Sequence, residues 1–202
     1  PEATVDDETI YEHLVKVAPA GDVVEEKGNL EEGRKLAATV FEESYFVPYI
    51  AHAPLEPHTA MVKIEDGSAT IWASTQRPFG AQEEVAQALG LPAEKVRVIT
   101  PFVGGGFGGK NRNKQVVEAA RLAKLAGAPV QVAWSRADEF FEDTFQPAAV
   151  VKIISGLDRA NKLVLWDYAV FFGGERSSQP FYHIPNYRIL SRGSWGRGGA
   201  GA

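Results

Sequence analysis

Residues 96–110 read Val96-Arg97-Val98-Ile99-Thr100-Pro101-Phe102-Val103-Gly104-Gly105-Gly106-Phe107-Gly108-Gly109-Lys110. The β-branched run at 96–103 predicts a strand that enters the glycine cluster directly. Beyond the cluster lies the most regular helix of the chain. Val116, Ala119, Ala120 and Ala123 form its apolar stripe, Arg and Lys its wet face, and Gly127 with Pro129 its stop. Five glycines in the six positions 104–109 are hard to ascribe to packing, because glycine costs backbone entropy. Such a cluster implies special φ angles or something approaching the backbone closely. The helix N-terminus beyond it carries unpaired N–H groups and the positive end of a dipole, which suits an anionic or strongly polar ligand. A hinge without ligand is the alternative.

Working outward, Asp6 or Asp7 is expected to cap a helix running to Val17, with Ile10, Leu14 and Val17 as its stripe. Pro19-Ala20-Gly21-Asp22 breaks it, and residues 29–35 read as a short helix or a loop. Residues 39–47 read as a strand, and 48–58, with three prolines, as irregular or an edge. A hairpin follows, 60–64 and 69–74 about an Asp66-Gly67 turn. A helix is expected over 83–89, stopped by Gly90 and Pro92, with Glu83 and Glu84 facing solvent in its first turn. After the glycine cluster and its helix come a strand at 130–134 and a turn or helix capped by Ser135. Two longer strands at 148–155 and 163–172 and one at 187–191 complete the reading. Interleaved strands and helices with hairpins place the fold in the α+β or mixed α/β class.

The 202 residues are 45% hydrophobic and 23% charged, enough for one or two domains with a real core. A formal net charge of −5, with Lys and Arg scattered, gives no electrostatic footprint for nucleic acid or anionic membrane. Cysteine is absent. These residues therefore supply no disulfide, no Cys-ligated zinc or iron–sulfur cluster and no thiol nucleophile. No apolar run approaches the roughly 20 residues of a membrane helix, and residues 1–12 are too acidic for a signal peptide. The opening at Pro1 and the run-out in Gly198-Gly199-Ala200-Gly201-Ala202 predict a piece cut at both ends. The compartment, cytoplasmic or periplasmic, is left open.

Two phosphate-binding patterns fit the cluster. Gly104, Gly106 and Gly109 satisfy the dinucleotide spacing, and Gly104, Gly109 and Lys110 most of a P-loop. Asn111 stands where a P-loop needs Ser or Thr, and the next strand ends in Trp134-Ser135-Arg136, without the acidic residue a dinucleotide fold wants. A third pattern takes in more of the chain. His52-Ala53-Pro54-Leu55-Glu56-Pro57-His58, Ser74-Thr75-Gln76, Leu89-Gly90-Leu91-Pro92, the cluster at 104–110, Glu118-Ala119-Ala120, Trp134-Ser135-Arg136 and residues 180–188 follow in the order and spacing of a known family. Over about residues 44–192 the chain resembles the molybdopterin-binding subunit of the molybdenum hydroxylases, the xanthine dehydrogenase and aldehyde oxidase family, as an internal fragment.

The resemblance implies an α+β molybdenum-cofactor-binding domain with mixed sheets and flanking helices. Residues 1–43 lead into it, and 44–202 are its first part, truncated at the C-terminus. It implies hydroxylation of an aldehyde or N-heterocycle carbon with oxygen from water at a molybdopterin centre. Hydride passes to a molybdenum sulfido ligand, and electrons pass to 2Fe-2S clusters and FAD on partner subunits or domains. The pterin dithiolene holds the metal, so no metal ligand is expected here, and the pterin's nucleotide form, cytosine dinucleotide or not, is left open. Gln76 matches the glutamine whose amide hydrogen-bonds a molybdenum oxygen ligand. Gly105, Gly106, Phe107, Gly108 and Gly109 match the loop lying against the cofactor. Asn111 stands where purine-oxidising relatives have Glu, which points to the substrate pocket and away from xanthine. The general-base glutamate lies beyond residue 202 in the family, so the chain alone is expected to be inactive. A nucleotide-binding domain built on residues 104–110 and a non-catalytic scaffold relative are the competing functions.

The remaining polar residues have plainer readings. Pro54 and Pro57 forbid a helical zinc motif at His52, Glu56 and His58, so these are expected to play a structural role. Lys110 is expected to cap or pair locally. Asp138, Glu139, Glu142 and Asp143 read as a solvated acidic face flanking the core aromatics Phe140 and Phe141, and Trp134 and Trp166 as core.

Overall fold

The computed structural model describes residues 5–194; Pro1 and the glycine-rich end at 198–202 lie outside the described residues. In chain order the elements are α1 (Ile10–Val17), β1 (Asp22–Lys27), α2 (Leu30–Leu36), β2 (Thr39–Val47), β3 (Ile50–Ala51), β4 (Thr59–Glu65), β5 (Ser68–Ala73), α3 (Pro78–Leu89), β6 (Val96–Ile99), α4 (Lys114–Ala126), β7 (Val130–Ala133), α5 (Arg136–Glu142), β8 (Phe145–Gln146), β9 (Ala149–Leu157), β10 (Leu163–Phe171) and β11 (Tyr187–Arg192). They fall into two units, a central one from Ala51–Phe145 and a terminal one from the chain before and after it. Helices beside mixed sheets bear out the α+β reading. β3 and β8 form a separate two-stranded sheet.

The central unit carries the sheet β6-β5-β4-β7. β4 and β5 form the expected hairpin, with φ +50° at Asp66 and +70° at Gly67, the left-handed pair a two-residue turn demands. β5 pairs parallel with β6, and β4 antiparallel with β7. Val62 and Ile71 of the sheet, Val85 of α3, and Val116, Ala119, Ala120 and Ala123 of α4 share one core. Burying Val62 or Ile71 contributes about 1.5–3 kcal/mol each. Gly90 (φ +72°) and Gly127 (φ +61°) end α3 and α4 in the left-handed conformation, as their spacing predicts. Two boundaries differ from expectation. α3 opens at Pro78 rather than Glu83, because proline at the first helical position has no N–H to lose. Glu84 is therefore mid-helix and accepts from Asn113 Nδ2 at 3.1 Å. β6 ends at Ile99 rather than Val103, where Pro101 cannot donate to a ladder.

Ser135 caps α5 as expected, within a reciprocal box with Asp138. The acidic face, however, is split: Asp138 is exposed and Glu142 half-exposed as expected, while Glu139 and Asp143 turn inward. Glu139 is 2% exposed, whereas Phe140 and Phe141 are 48% and 86% exposed. Trp134 and Trp166 are only half-buried.

The terminal unit carries the sheet β1-β11-β10-β9-β2. Only β10 and β11 are parallel; the other pairs are antiparallel. β1 was not expected. It is acid-rich and almost wholly exposed, and it exists through pairing with β11, from Asp22 opposite Ser191 to Lys27 opposite Tyr187. α1 is shorter than expected. Asp6 Oδ1 accepts from the N–H of Thr9 at 2.8 Å, so it caps the turn before the helix, and Thr9 holds the cap position. Leu14 alone of its stripe is fully buried, and Val17 is half-exposed. α2 opens at Asn29, whose side chain accepts from the N–H groups of Glu31 and Glu32. It lies close to the sheet through Gly33, where a Cβ would stand 2.9 Å from Asn186 Cβ.

Candidate functional site

Space and φ angles both explain the glycines of residues 104–109. Gly105 and Gly108 have φ of +92° and +111°, and Phe107 between them has +52°. A non-glycine residue held there costs roughly 1–3 kcal/mol and marks a loop fixed by its surroundings. The Phe107 ring is 75% exposed, so no burial of its own offsets that cost. At Gly104, Gly106 and Gly109 the reason is room. A Cβ would lie 2.6 Å from Glu56 Cβ, 2.6 Å from Gln76 Oε1 and 2.5 Å from Asp143 Oδ2, respectively. Gly109 N–H donates to Gly106 O at 2.9 Å and tightens the end of the loop.

Gln76, three residues beyond the end of β5, is joined to this loop twice. Its backbone N–H donates to Lys110 O at 2.9 Å, and its Oε1 accepts from Gly108 N–H at 3.1 Å. The second bond fixes which end of the amide is oxygen, since an N–H can meet only an acceptor. Nε2 is left as the outward donor on an exposed side chain. Among the described residues, nothing accepts from Nε2 or from the N–H groups of Gly105, Gly106 and Phe107. The sequence-derived residues Gln76 and 105–109 are thus brought together, with Gln76 Nε2 and the N–H groups of 105–107 as free donors and Gly108 and Gly109 N–H spent on holding the loop. Neutral donors without acceptors, on a loop held close against Gln76 and Glu56 by its lack of side chains, suit an oxygen-rich group of the pterin kind.

Behind the loop lies the segment 52–58. His52 Nδ1 pairs with Asp143 Oδ2 at 3.0 Å and His58 Nδ1 with Glu139 Oε1 at 2.7 Å, while Arg136 Nη2 donates to Pro54 O. Arg136, Glu139 and Asp143 are spaced i, i+3, i+7, the inner face of α5. His52, Glu56 and His58 each take a separate partner. The sequence reading gave these residues a structural role but missed their partners. The i, i+3, i+7 spacing opposite a segment with two histidines was the available signal.

Lys110 is a correction. It pairs with a residue far away in sequence, Glu56, at 2.7 Å, and is fully buried. It therefore cannot reach a phosphate as a P-loop lysine does. Nor does the loop run into α4. A one-turn 3₁₀ helix (Gly109–Asn111) intervenes, so the loop amides are not the first turn of the following helix, as either phosphate-binding pattern requires. Asn111 is exposed and lines a cavity of about 660 Å³ shared with Arg77, Arg112 and Arg121. Gln76 is not on its wall.

The fold is that of a cofactor-binding domain. Residues 15–191 match the family model of the molybdopterin cofactor-binding domain. The chain belongs to this family. It is 27% identical over 168 residues to the aldehyde oxidoreductase molybdenum-binding subunit PaoC of Escherichia coli O157:H7, covering 83% of this chain and 23% of that one. To the xanthine dehydrogenase molybdenum-binding subunit of the same organism it is 32% identical over 169 residues, 81% and 22% of the two chains. In fold it is similar to the aldehyde oxidoreductase of Desulfovibrio gigas, with a TM-score of 0.72 at 19% identity over 88% of this chain and 21% of that one. It is also similar to quinoline 2-oxidoreductase of Pseudomonas putida 86, with a TM-score of 0.70 at 21% identity over 87% and 25%. The chain thus spans about a quarter of the length of these relatives or less.

Proposed function

We propose that this chain is the opening part of a molybdenum hydroxylase cofactor domain, residues 44–202, with residues 1–43 leading into it. Its task is to hold one side of the molybdopterin group. The observation that carries this reading is the Gln76 amide. Its oxygen is engaged by Gly108 N–H, so its two N–H hydrogens face outward beside the free N–H groups of Gly105, Gly106 and Phe107. A neutral donor can hydrogen-bond an oxygen ligand of a metal without adding charge to the site. When bound, the cofactor supplies the redox centre that hydroxylates an aldehyde or N-heterocycle carbon with oxygen from water. Gln76 orients the group through its amide, the glycine amides hold it, and Phe107 shields it from water. Asn111, standing where purine-oxidising relatives have Glu, points away from xanthine and towards aldehydes or other N-heterocycles.

The electrons leave through iron–sulfur and flavin groups on partner subunits or domains. The general base is supplied by residues beyond this chain, so the chain by itself turns nothing over. Plasma mass spectrometry of the native assembly, followed by turnover of aldehydes and N-heterocycles with an artificial electron acceptor, tests the reading. Molybdenum with several irons per complex is expected. An assembly free of molybdenum, from cells that mature other molybdoenzymes, would sink it.

A further inference from the structure

We propose that Glu56 is a positioning residue that sets the glycine loop in register with Gln76. This rests on the reading that Gln76 and residues 105–107 hold the molybdopterin group. One oxygen, Glu56 Oε2, accepts both from Gly104 N–H at 2.8 Å and from Lys110 Nζ at 2.7 Å. Glu56 N–H in turn donates to Gly104 O at 3.1 Å. One side chain thereby fastens the first and last residues of the loop, and the three free N–H groups lie between its two points of attachment.

The bracket has no slack. Lys110 is fully buried, so its ammonium cannot exchange Glu56 for water, and breaking such a pair leaves a charge unsolvated. Gly104 leaves no space between itself and Glu56 even for a methyl group. From Lys110 the hold passes directly to the amide donor, because Lys110 O accepts from Gln76 N–H at 2.9 Å. Glu56 is itself on a stiff segment. Pro54 and Pro57 flank it, Arg136 holds the carbonyl of Pro54, and His58 is locked to Glu139 two residues on. An ion pair serving stability alone could sit anywhere in the unit. This one joins the two ends of the surface that faces the cofactor.

The test uses the native assembly with Glu56→Gln, which is isosteric and keeps an oxygen for Gly104 N–H but loses the charge opposite Lys110. Val62→Ala, a cavity in the same unit's core, is the comparison for general destabilisation. Hydrogen exchange at Gly104, Gly108 and Gly109, the loop amides that have acceptors, is expected to quicken by about tenfold or more in Glu56→Gln relative to the rest of the unit. Molybdenum per chain is expected to fall several-fold, whereas Val62→Ala keeps its metal and exchanges faster throughout the unit. Unchanged exchange at Gly104, Gly108 and Gly109, or a rise spread evenly over the unit, overturns the proposal. Should Glu56→Gln not accumulate, Lys110→Met opens the same bracket from its other end, with a smaller rise of about two- to fivefold confined to the same loop amides as the expected result and an unchanged or evenly spread rate as the result that overturns it. Absence of molybdenum from the unsubstituted assembly would refute the cofactor reading, while the exchange rates would still decide whether Glu56 holds the loop.

Discussion

Glu139→Ala removes a carboxylate that is 2% exposed and whose Oε1 accepts two hydrogen bonds from His58, one from the backbone N–H and one, at 2.7 Å, from Nδ1. His58 is itself only 1% exposed, so neither donor can turn to solvent. An unsatisfied buried donor costs about 1–3 kcal/mol, and removing one partner of a buried pair costs about 3–5 kcal/mol. The space left by the carboxylate is polar enough to admit a water, which restores part of the loss. The net expectation is a destabilisation of about 3 kcal/mol. Glu139→Gln keeps the volume and one acceptor and is expected to cost about half as much. Because the chain has two units, a single whole-chain melting curve is a poor reporter. The assay is urea-dependent hydrogen exchange at the amides of Val62 and Ile71, in the core of the central unit. A cost below about 1 kcal/mol for Glu139→Ala would refute the pairing, since an exposed glutamate costs no more than that.

Three further outcomes are expected. Gly106→Ala places a Cβ 2.6 Å from Gln76 Oε1, and should displace that amide and lower molybdenum per chain while leaving the fold's circular dichroism unaltered; full metal content would count against Gln76 as a cofactor contact. Lys110→Met is expected to cost about 1 kcal/mol or less, because the Glu56 side chain is 32% exposed and can be rehydrated, whereas Glu56→Leu strands a fully buried ammonium at about 3–5 kcal/mol; equal costs by denaturant titration would contradict the asymmetry. The Asp138 carboxyl titrates below the usual carboxylate range, first because the Ser135 hydroxyl donates to it and then because the Ser135 N–H does. A value depressed in the folded state gives support that is present above the unfolded value and lost as pH falls through the folded one. Ser135→Ala should therefore move the Asp138 titration upward, read from its carboxyl chemical shift, and an unmoved midpoint would remove the capping box from the account.

What the sequence disclosed was what neighbours in the chain decide. The Asp66-Gly67 turn, the β2 strand, the Ser135 cap and the left-handed ends at Gly90 and Gly127 depend on residues a few positions apart, and each fell where its local pattern put it. β1 is the opposite case. Asp22–Lys27 alternates nothing and buries almost nothing, so only its distant partner β11 makes it a strand. The acidic residues of α5 were misjudged for the same reason. Their side-chain chemistry says solvent, but His52 and His58, about 80–90 positions earlier, draw Glu139 and Asp143 inward and turn Phe140 and Phe141 out. Of the site, the glycine loop and Gln76 were legible as a pattern. That Lys110 is buried against Glu56 was not, because spacing carries no information about an ion pair 54 residues apart.

The pairing of β1 with β11 has a consequence for how the molecule is made. The first strand of the terminal sheet cannot find its neighbour until nearly all the described residues have been synthesised, whereas Ala51–Phe145 are contiguous. During synthesis the central unit, with its loop and bracket, can therefore finish first, while Asp22–Lys27 waits unpaired. A folded insert also holds Ile50 and Gln146 near one another, which shortens the effective loop that closing the outer sheet must overcome. The unit carrying the glycine loop would then be the earliest native structure on the ribosome, which force measurements on chains stalled once residue 145, and then residue 192, has cleared the exit tunnel would register as two separate events.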